Sequence, residues 1–280
     1  MNTKQEELLM SVNPKVVLIT GASSGVGQAT ARLLAEKGYQ VFGTSRDPDS
    51  AQSMTTVEML ALDVRSDESI VACVNAVVDA AGRIDVLVNN AGYELAGALE
   101  ETSLDEARAQ FDTNFFGVIK MVKAVLPLMR QQKQGRIINV ASFAGISGIP
   151  FMGIYSASKF ALEGFTEALR MEVSPFNIHV SLAEPAFLKT AMTEHRQAAK
   201  APLKEYDPWR QRAFNAFRAL EQKAPGPESV AKAILKIIER RKPRLHYLIG
   251  AQAKILSRMQ RYLPAAGFEW GKRSTFKLDG

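Results

Sequence analysis

A tyrosine and a lysine lie four residues apart in the segment YSASK, at Tyr155 and Lys159. The segment falls in a predicted helix over residues 151–173, where this spacing places both side chains on one face. A phenol with a pKa near ~10 exchanges protons poorly at neutral pH, and a nearby ammonium group lowers that pKa by stabilising the phenolate. The pair therefore predicts proton transfer to or from a substrate oxygen.

Two further polar residues complete a candidate catalytic group. Ser142 ends a predicted strand at 136–142, where its hydroxyl can polarise the same substrate oxygen. Asn114 interrupts a predicted helix over 104–132, although asparagine is a poor helix former. An exposed helical pair would also explain a tyrosine and a lysine at this spacing. Ser142, shortly upstream of them, favours the catalytic interpretation.

A glycine-rich segment, TGASSGVG at residues 20–27, falls between a predicted buried strand and a predicted helix. Gly21 permits a sharp exit from the strand, Gly25 lets backbone amides approach a pyrophosphate, and Gly27 lets the helix lie close to the sheet. The helix N-terminus adds the positive end of a dipole. The alternative is a simple tight turn, and the G-x-x-x-G-x-G spacing differs from the usual G-x-G-x-x-G.

The residues at the end of the second predicted strand indicate which dinucleotide would bind, NAD(H) or NADP(H). Folds that select NAD place an acidic residue there to bind the ribose hydroxyls. This chain has Ser45 at that point, followed by Arg46, whose guanidinium can bind a 2′-phosphate. The sequence therefore predicts NADP(H) in preference to NAD(H). The alternative is that Arg46 is an exposed loop residue paired with Asp47.

Short β-branched runs alternate with helical patterns along most of the chain, which predicts a doubly wound α/β Rossmann fold in a single domain. The strands are apolar throughout, so we expect a mostly parallel sheet of seven strands covered by helices on both faces. We expect an N-terminal extension at 1–14, the dinucleotide-binding and catalytic domain at 15–250 with a substrate lid at 186–226, and a C-terminal helix and loosely held tail at 251–280.

Five features in this order resemble the short-chain dehydrogenase/reductase family over about residues 14 to 250. They are the glycine loop, the segment NNAG at 89–92, Asn114, Ser142, and Tyr155 with Lys159. The resemblance implies that Tyr155 donates or accepts the proton, that Lys159 binds the nicotinamide ribose, and that Asn114 holds a water that links Lys159 to solvent.

The resemblance also implies where the cofactor binds. Asp63 would lie beside the adenine and Asn90 near the ribose, although both could instead cap strand ends. After the sixth strand the family usually has Pro-Gly, and this chain has Pro185-Ala186, which alters the expected nicotinamide pocket. The expected cofactor contacts are Gly21, Ser23, Ser24, Gly25, Val26, Gly27, Ser45, Arg46, Asp63, Val64, Asn90, Ala91, Gly92, Tyr155, Lys159, Pro185, Phe187, Leu188 and Thr190.

The function expected from these residues is NADP(H)-dependent hydride transfer to a carbonyl, or from an alcohol, of a small molecule. The aromatic lid resembles the branch of 17β-hydroxysteroid dehydrogenases and retinol dehydrogenases, which implies a hydrophobic substrate. An NADPH sensor without turnover would need a broken catalytic group. A sugar-nucleotide epimerase or dehydratase fits the glycine spacing and the NNAG segment less well. The resemblance implies a homo-oligomer, a dimer or tetramer, and the added C-terminal helix favours the dimer.

Charge, cysteine content and the lack of long apolar runs argue against several other classes of protein. Lys and Arg outnumber Asp and Glu by 35 to 29, and their dispersion argues against a nucleic-acid partner. Cys73 is the only cysteine, so no internal disulfide forms and a cytoplasmic location is expected. No signal peptide or long apolar run is found, so neither secretion nor membrane spanning is expected. The three histidines lack metal-ligand spacing, so no metal is expected. A basic cluster at 240–244 and a basic amphipathic helix at 252–262 predict solvated surfaces rather than membrane contact.

Overall fold

The computed structural model describes residues 14–49, 54–189 and 196–279. Within these ranges, seven parallel strands form one sheet and two short strands form a second, small one. The strands are β1 (Val16–Ile19), β2 (Gln40–Ser45), β3 (Glu58–Ala61), β4 (Val86–Asn89), β5 (Leu95–Ala96), β6 (Gly135–Val140), β7 (Ile178–Pro185), β8 (Gln197–Ala198) and β9 (His246–Ile249). The order in the large sheet is β3-β2-β1-β4-β6-β7-β9, which confirms the predicted doubly wound α/β fold.

Helices pack on both faces of the sheet because alternate strand residues point to opposite sides and both sides are apolar. Val16 and Leu18 of β1 pack into one core, and Val17 and Ile19 pack into the other. The helices are α1 (Gly25–Glu36), α2 (Asp67–Ala81), α3 (Leu104–Phe111), α4 (Gly117–Gln132), α5 (Gly153–Val173), α6 (Asp207–Gln222), α7 (Glu228–Glu239), α8 (Ala251–Tyr262) and α9 (Ala265–Thr275). Helices α2, α4 and α5 cover the first face, and α1 and α7 cover the second.

The strand order reverses between β1 and β4, which neighbour each other although β2 and β3 lie between them in sequence. Loops that leave the carboxyl ends of these two strands must therefore run to opposite sides, and a crevice opens between them. The glycine loop follows β1, and the NNAG segment begins at the last residue of β4. The topology thus brings two of the predicted motifs to one edge of the sheet.

The predicted long helix over 104–132 is built from α3 and α4 joined by one wide π-helical turn, Asp112–Phe116. Its start is fixed by a capping box, in which Ser103 accepts a hydrogen bond from the Glu106 backbone amide and the Glu106 carboxylate accepts one from that of Ser103. Such turns are frequent at functional sites. Asn114 lies in the middle of this one and is buried.

The expected lid is more regular than the sequence pattern indicated. Its second half forms α6, a helix of 16 residues that buries Ala213, Phe217 and Glu221 at a spacing of four. Most other residues of α6 are charged or polar, so the narrow buried stripe left little periodic signal. Residue 190, an expected cofactor contact, and residues 1–13 of the expected extension lie outside the described residues.

The expectation of a loosely held C-terminal tail is wrong. Helix α9 occupies most of that segment, and Phe268 and Phe276 are buried. The Phe276 ring stacks on Phe217 of the lid, with 6.3 Å between ring centroids. These two aromatic anchors hold the segment against the domain. No helix in the described part of the chain combines the length and the apolar character that a membrane span requires.

Cys73 lies on α2 with its thiol packed in the first core. Burial raises the pKa of this thiol to about 11, so the reactive thiolate form is disfavoured at neutral pH. The structure therefore agrees with the prediction that Cys73 is a packing residue.

Candidate active site

A cavity of about 670 Å³ lies at the carboxyl edge of the sheet, above the crevice between β1 and β4. It brings together residues that are far apart in sequence, including all four members of the predicted catalytic group. Gly27 lies behind the wall rather than in it. The predicted residues that line the cavity are Gly21, Ser23, Ser24, Gly25, Val26, Ser45, Arg46, Asp63, Val64, Asn90, Ala91, Gly92, Asn114, Ser142, Tyr155, Lys159, Pro185, Phe187 and Leu188.

The glycine loop has the geometry of a phosphate cradle. Gly21 and Gly25 have φ values of +67° and +55°, which residues with a side chain rarely adopt. A Cβ atom built on Gly25 would meet nothing within 4 Å, so the backbone there is open to the cavity. The side chain of Ser24, at the start of α1, makes no capping hydrogen bond to the helix. The first amides of α1 are thus left to an anionic group, as a dinucleotide pyrophosphate requires.

The glycine loop and the NNAG segment hold each other in place by hydrogen bonds. The Asn90 amide group donates to the carbonyl oxygens of Thr20 and Gly21, at 3.0 and 2.9 Å. The Thr20 hydroxyl oxygen accepts hydrogen bonds from the backbone amides of Asn90 and Ala91, at 2.9 and 3.0 Å. Asn90 therefore fixes the loop in this structure. Thr20, which the sequence reasoning did not single out, fixes the NNAG segment in return.

The end of the cavity beside β2 and β3 carries Ser45, Arg46 and Asp63. Arg46 is exposed at the end of β2, and its charge lies near enough to Asp63 to lower the pKa of that carboxyl. A stronger effect comes from Arg65, whose Nη2 lies 2.6 Å from Asp63 Oδ2. Together they hold the pKa of Asp63 at about 2. Arg65 also lines the cavity, and no strand-end pattern predicted it, because it lies four residues beyond the end of β3.

The phenol of Tyr155 is buried beside Ser142. A hydrogen bond from Ser142 lowers its pKa, but burial has the larger, opposite effect and raises the pKa above its ordinary value. Lys159, whose Nζ lies 5.9 Å from the centre of the Tyr155 ring, does not offset the effect of burial as the sequence predicted. Burial therefore favours the protonated form of Tyr155, which can donate a proton.

Lys159 points beneath Tyr155 towards the sheet. Its Nζ donates a hydrogen bond to the carbonyl oxygen of Val140, at 2.9 Å. Burial lowers the pKa of this ammonium to about 8, against the opposing effect of Glu163 one helical turn further on. The carboxyl of Glu163 is itself buried near Glu184, and burial together with that like charge raises its pKa to about 8. His246 contacts Glu184, with 3.3 Å between Nδ1 and Oε1.

The depressed pKa of Lys159 predicts how stability changes with pH. Between about pH 8 and the ordinary lysine value, the unfolded chain binds a proton that the folded chain has released, so the free energy of unfolding rises with pH. We expect cofactor-free wild type to gain stability over this range relative to Lys159→Met, which has no amine to titrate. Urea unfolding across the range measures the difference. Exposed Lys123→Met is the control, and a difference that stays constant would contradict the shift.

Asn114 binds the backbone of Tyr93 through both ends of its amide. Its Oδ1 accepts from the Tyr93 amide at 3.1 Å, and its Nδ2 donates to the Tyr93 carbonyl at 3.0 Å. Nδ2 also lies 3.4 Å from the hydroxyl of Ser158, next to Lys159 in sequence. In this structure Asn114 positions the chain after the NNAG segment. The water link to Lys159 stays a prediction.

An ion-pair triad lies beside the cavity, where Glu94 and Glu221 line the wall, and no sequence pattern predicted it. Arg196 binds Glu94 and Glu221, each at 2.8 Å, and all three side chains are largely buried. Its guanidinium also lies over the Phe217 ring, 4.5 Å from the centroid. Strand β8, directly after Arg196, pairs with β5, directly after Glu94. The lid is thus joined to the loop after β4 by backbone and by charge.

Comparison with known proteins shows which family this chain belongs to. The family model described as short chain dehydrogenase matches residues 15–201. The 3-ketodihydrosphingosine reductase of Bacteroides thetaiotaomicron is 41% identical over 270 residues, which cover 95% of this chain and 100% of that protein. Human retinol dehydrogenase 8 is 38% identical over 84% of this chain and 81% of its own length.

Solved structures agree with this assignment. A short-chain dehydrogenase from Streptomyces avermitilis superposes with a TM-score of 0.81 at 34% identity, covering 94% of this chain and 98% of that one. A Burkholderia phymatum member in complex with NAD gives a TM-score of 0.78 at 28% identity, over 89% and 93% of the two chains. A metagenomic short-chain oxidoreductase in complex with NADP gives a TM-score of 0.67 at 27% identity, over 84% of this chain and 96% of that one. The chain is therefore an oxidoreductase that belongs to the short-chain dehydrogenase/reductase family, in its hydroxysteroid and retinol dehydrogenase-like branch.

Proposed function

We propose that the protein is an NADP(H)-dependent carbonyl reductase that acts on a hydrophobic ketone or aldehyde. The observation that carries the proposal is the position of the Tyr155 phenol. Ser142 lies close enough to lower the pKa of this phenol, and both side chains lie in the same cavity as the open glycine loop. A reduced nicotinamide, when bound, supplies the hydride. The protein must hold the carbonyl and supply a proton to its oxygen.

The residues divide this work between them. Tyr155, held protonated by burial, donates its hydroxyl proton to the carbonyl oxygen as negative charge develops there. The Ser142 hydroxyl orients that oxygen and stabilises the developing charge. Lys159 lies on the same helix face and supplies positive charge that favours the resulting phenolate. In the oxidation of an alcohol, Tyr155 takes the proton back.

The choice of NADP(H) over NAD(H) rests on Ser45 and Arg46 at the end of the cavity beside β2 and β3, where the adenosine of the cofactor would lie. Arg46→Ala removes the guanidinium that would pair with the 2′-phosphate. We expect KM for NADPH to rise about 10-fold or more, by the loss of one charge-assisted contact, with little change for NADH. Steady-state kinetics with both cofactors provide the measurement.

Arg130→Ala, an exposed arginine near the end of α4, is the control for a general loss of positive charge. It should leave both KM values unchanged. If Arg46→Ala raises the two KM values equally, the residue does not select the phosphate. The preference for NADP(H) would then have to be withdrawn, and the proposed reaction would stand with either cofactor.

The hydrophobic substrate is proposed from the walls of the cavity and from the names of the relatives. Phe187 and Phe217 line it with ring centroids 5.2 Å apart, and Ile149 adds to the apolar wall. Two relatives are named for long-chain or isoprenoid lipids, 3-ketodihydrosphingosine and retinol. We therefore expect a lipid-like carbonyl compound to be the substrate.

A substrate panel tests the proposal directly. Purified protein with NADPH is offered 3-ketodihydrosphingosine, retinal, a 17-ketosteroid and acetone, and loss of the reduced nicotinamide absorbance is followed. We expect kcat/KM for at least one lipid carbonyl to exceed that for acetone by about 100-fold or more, because each buried methylene contributes about 0.8 kcal/mol. NADPH binding without turnover of any compound would instead favour a sensor.

We further propose that the protein forms a homodimer. Phe116 and Phe160 are large exposed aromatic residues beside Asn114 and Lys159, on the outer sides of the helices that carry them. Surfaces of this kind are covered in stable assemblies. Sedimentation velocity should give a dimer for the wild type, and Phe116→Ser with Phe160→Ser should shift it towards monomer.

A further inference from the structure

The outer surface of α8 and α9 exposes an unusual number of large apolar side chains. Ile255 is 55% exposed, Tyr262 is 76% exposed and Trp270 is 68% exposed, and Met259 and Leu263 also lie on this surface. Single exposed apolar residues are ordinary, but a contiguous group usually marks an interaction surface. We call these five residues, together with the basic residues of α8 named below, the C-terminal face.

The apolar residues of α8 form one stripe. Ile255, Met259 and Tyr262 follow one another at intervals of four and three, so they line up along the helix. The opposite side of α8 is attached to the domain, where Ala253 is buried and Gln260 Nε2 donates to the carbonyl oxygen of Ile146. The apolar stripe therefore points away from the domain.

A basic stripe runs beside the apolar one. Lys254, Arg258 and Arg261 precede the three apolar residues by one position each, and all three are exposed. The twelve residues of α8 include no aspartate or glutamate. The charge pattern alone predicts a solvated helix face, but cations beside exposed apolar side chains form the pattern of a helix lying in a membrane interface.

We propose that the C-terminal face docks on the surface of an anionic lipid bilayer, with the apolar stripe inserted at the headgroup level. Negative lipids complement Lys254, Arg258 and Arg261, while Trp270 and Tyr262 are the side chains that favour the interface between water and acyl chains. A second copy of this chain is the competing occupant. It would need acidic groups opposite the basic stripe, and α8 itself offers none to a symmetric partner.

Helix α9, which carries Trp270, connects the C-terminal face to the wall of the active-site cavity. Lys272 Nζ lies 3.4 Å from the carbonyl oxygen of Gly148, in the loop that follows Ser142. Phe276, directly after α9, stacks on Phe217 of the lid. Docking would therefore bring the lid side of the cavity, where Phe217 lies, close to the bilayer. A lipid carbonyl compound could then enter from the membrane, and this consequence rests on the proposed function.

Vesicle co-sedimentation tests the proposal. We expect the full-length protein to sediment with vesicles of phosphatidylglycerol and phosphatidylcholine, but not with phosphatidylcholine alone, and the bound fraction should fall as salt is added. Ile255→Ser with Trp270→Ser, and separately Arg258→Gln with Arg261→Gln, should each weaken binding about 10-fold or more. Val71→Ser with Met171→Ser, two exposed apolar residues elsewhere, is the matched control.

Two results would overturn the proposal. One is a wild type that does not sediment with the anionic vesicles, or variants of the C-terminal face that bind as well as the wild type. The other is a vesicle-independent dimer that Ile255→Ser with Trp270→Ser converts to monomer, which would assign the face to a second copy. The variants' turnover of a water-soluble ketone serves as a folding control. Vesicle binding by a protein that reduces nothing would refute the proposed function and leave the docking intact.

Discussion

Replacement of Tyr155 by Phe is expected to lower kcat for carbonyl reduction by about 10²- to 10⁴-fold, the usual contribution of a positioned general acid. Only the hydroxyl oxygen is removed, so the ring still fills its place in the cluster of buried side chains that includes Met152 and Phe217. The glycine loop, Asn90 and Arg46 are untouched. NADPH affinity, measured by fluorescence titration, should therefore stay close to the wild-type value.

A second tyrosine serves as the control that separates loss of the proton donor from a general effect of removing a hydroxyl group. Tyr262→Phe removes a hydroxyl from an exposed side chain on α8 and should leave kcat unchanged. Thermal unfolding of both variants shows whether the fold is retained. If Tyr155→Phe keeps a substantial fraction of wild-type turnover, another group donates the proton and the proposed mechanism fails at its central step.

Gly27→Ala is expected to have the second-largest effect, on cofactor binding rather than on the proton step. A Cβ atom at this position would lie 2.2 Å from the carbonyl oxygen of Gly21 and 2.5 Å from Nδ2 of Asn90. Neither can move freely, because Asn90 holds Gly21 by a hydrogen bond. The loop must shift away from its cradle geometry. We expect Kd for NADPH to rise about 100-fold and unfolding free energy to fall by about 1 to 3 kcal/mol.

Gly164 provides the control for a glycine-to-alanine change on this protein. It lies inside α5, and a Cβ atom there would meet nothing within 4 Å. Gly164→Ala should leave Kd unchanged and stabilise the protein by up to about 1 kcal/mol through helix propensity. Isothermal titration and urea unfolding on both variants provide the comparison. Unchanged NADPH affinity in Gly27→Ala would show that close packing of α1 is not needed for the phosphate site.

The sheet and the catalytic group were predictable because each depends on local signals. The strand from Val16 to Ile19 is apolar at every position, which indicates burial on both faces. Tyr155 and Lys159 share a helix, and Ser142 follows a strand, so their positions come from short-range geometry. The glycine loop is also a local feature, since the freedom of Gly21 and Gly25 is a property of the residue itself.

The features that were missed depend on contacts across long stretches of chain. Glu94, Arg196 and Glu221 meet only because the lid folds back over the cavity, and nothing local distinguishes them from solvated charges. The direction in which the pKa of Tyr155 shifts was also not predicted. It depends on burial, which the folded protein creates from several elements, and not on the distance of Lys159 along the helix.

The pairing of β5 with β8 has a kinetic consequence. These two strands form hydrogen bonds between the lid and the loop after β4. Arg196 forms ion pairs with Glu94 of that loop and with Glu221 of the lid. A product that leaves on this side needs the ladder and the ion pair of Arg196 with Glu94 to separate together, whereas the pair of Arg196 with Glu221 stays within the lid. Conformational opening of this kind takes microseconds to milliseconds. Turnover with a tightly bound product then reports the frequency of opening rather than the speed of bond making.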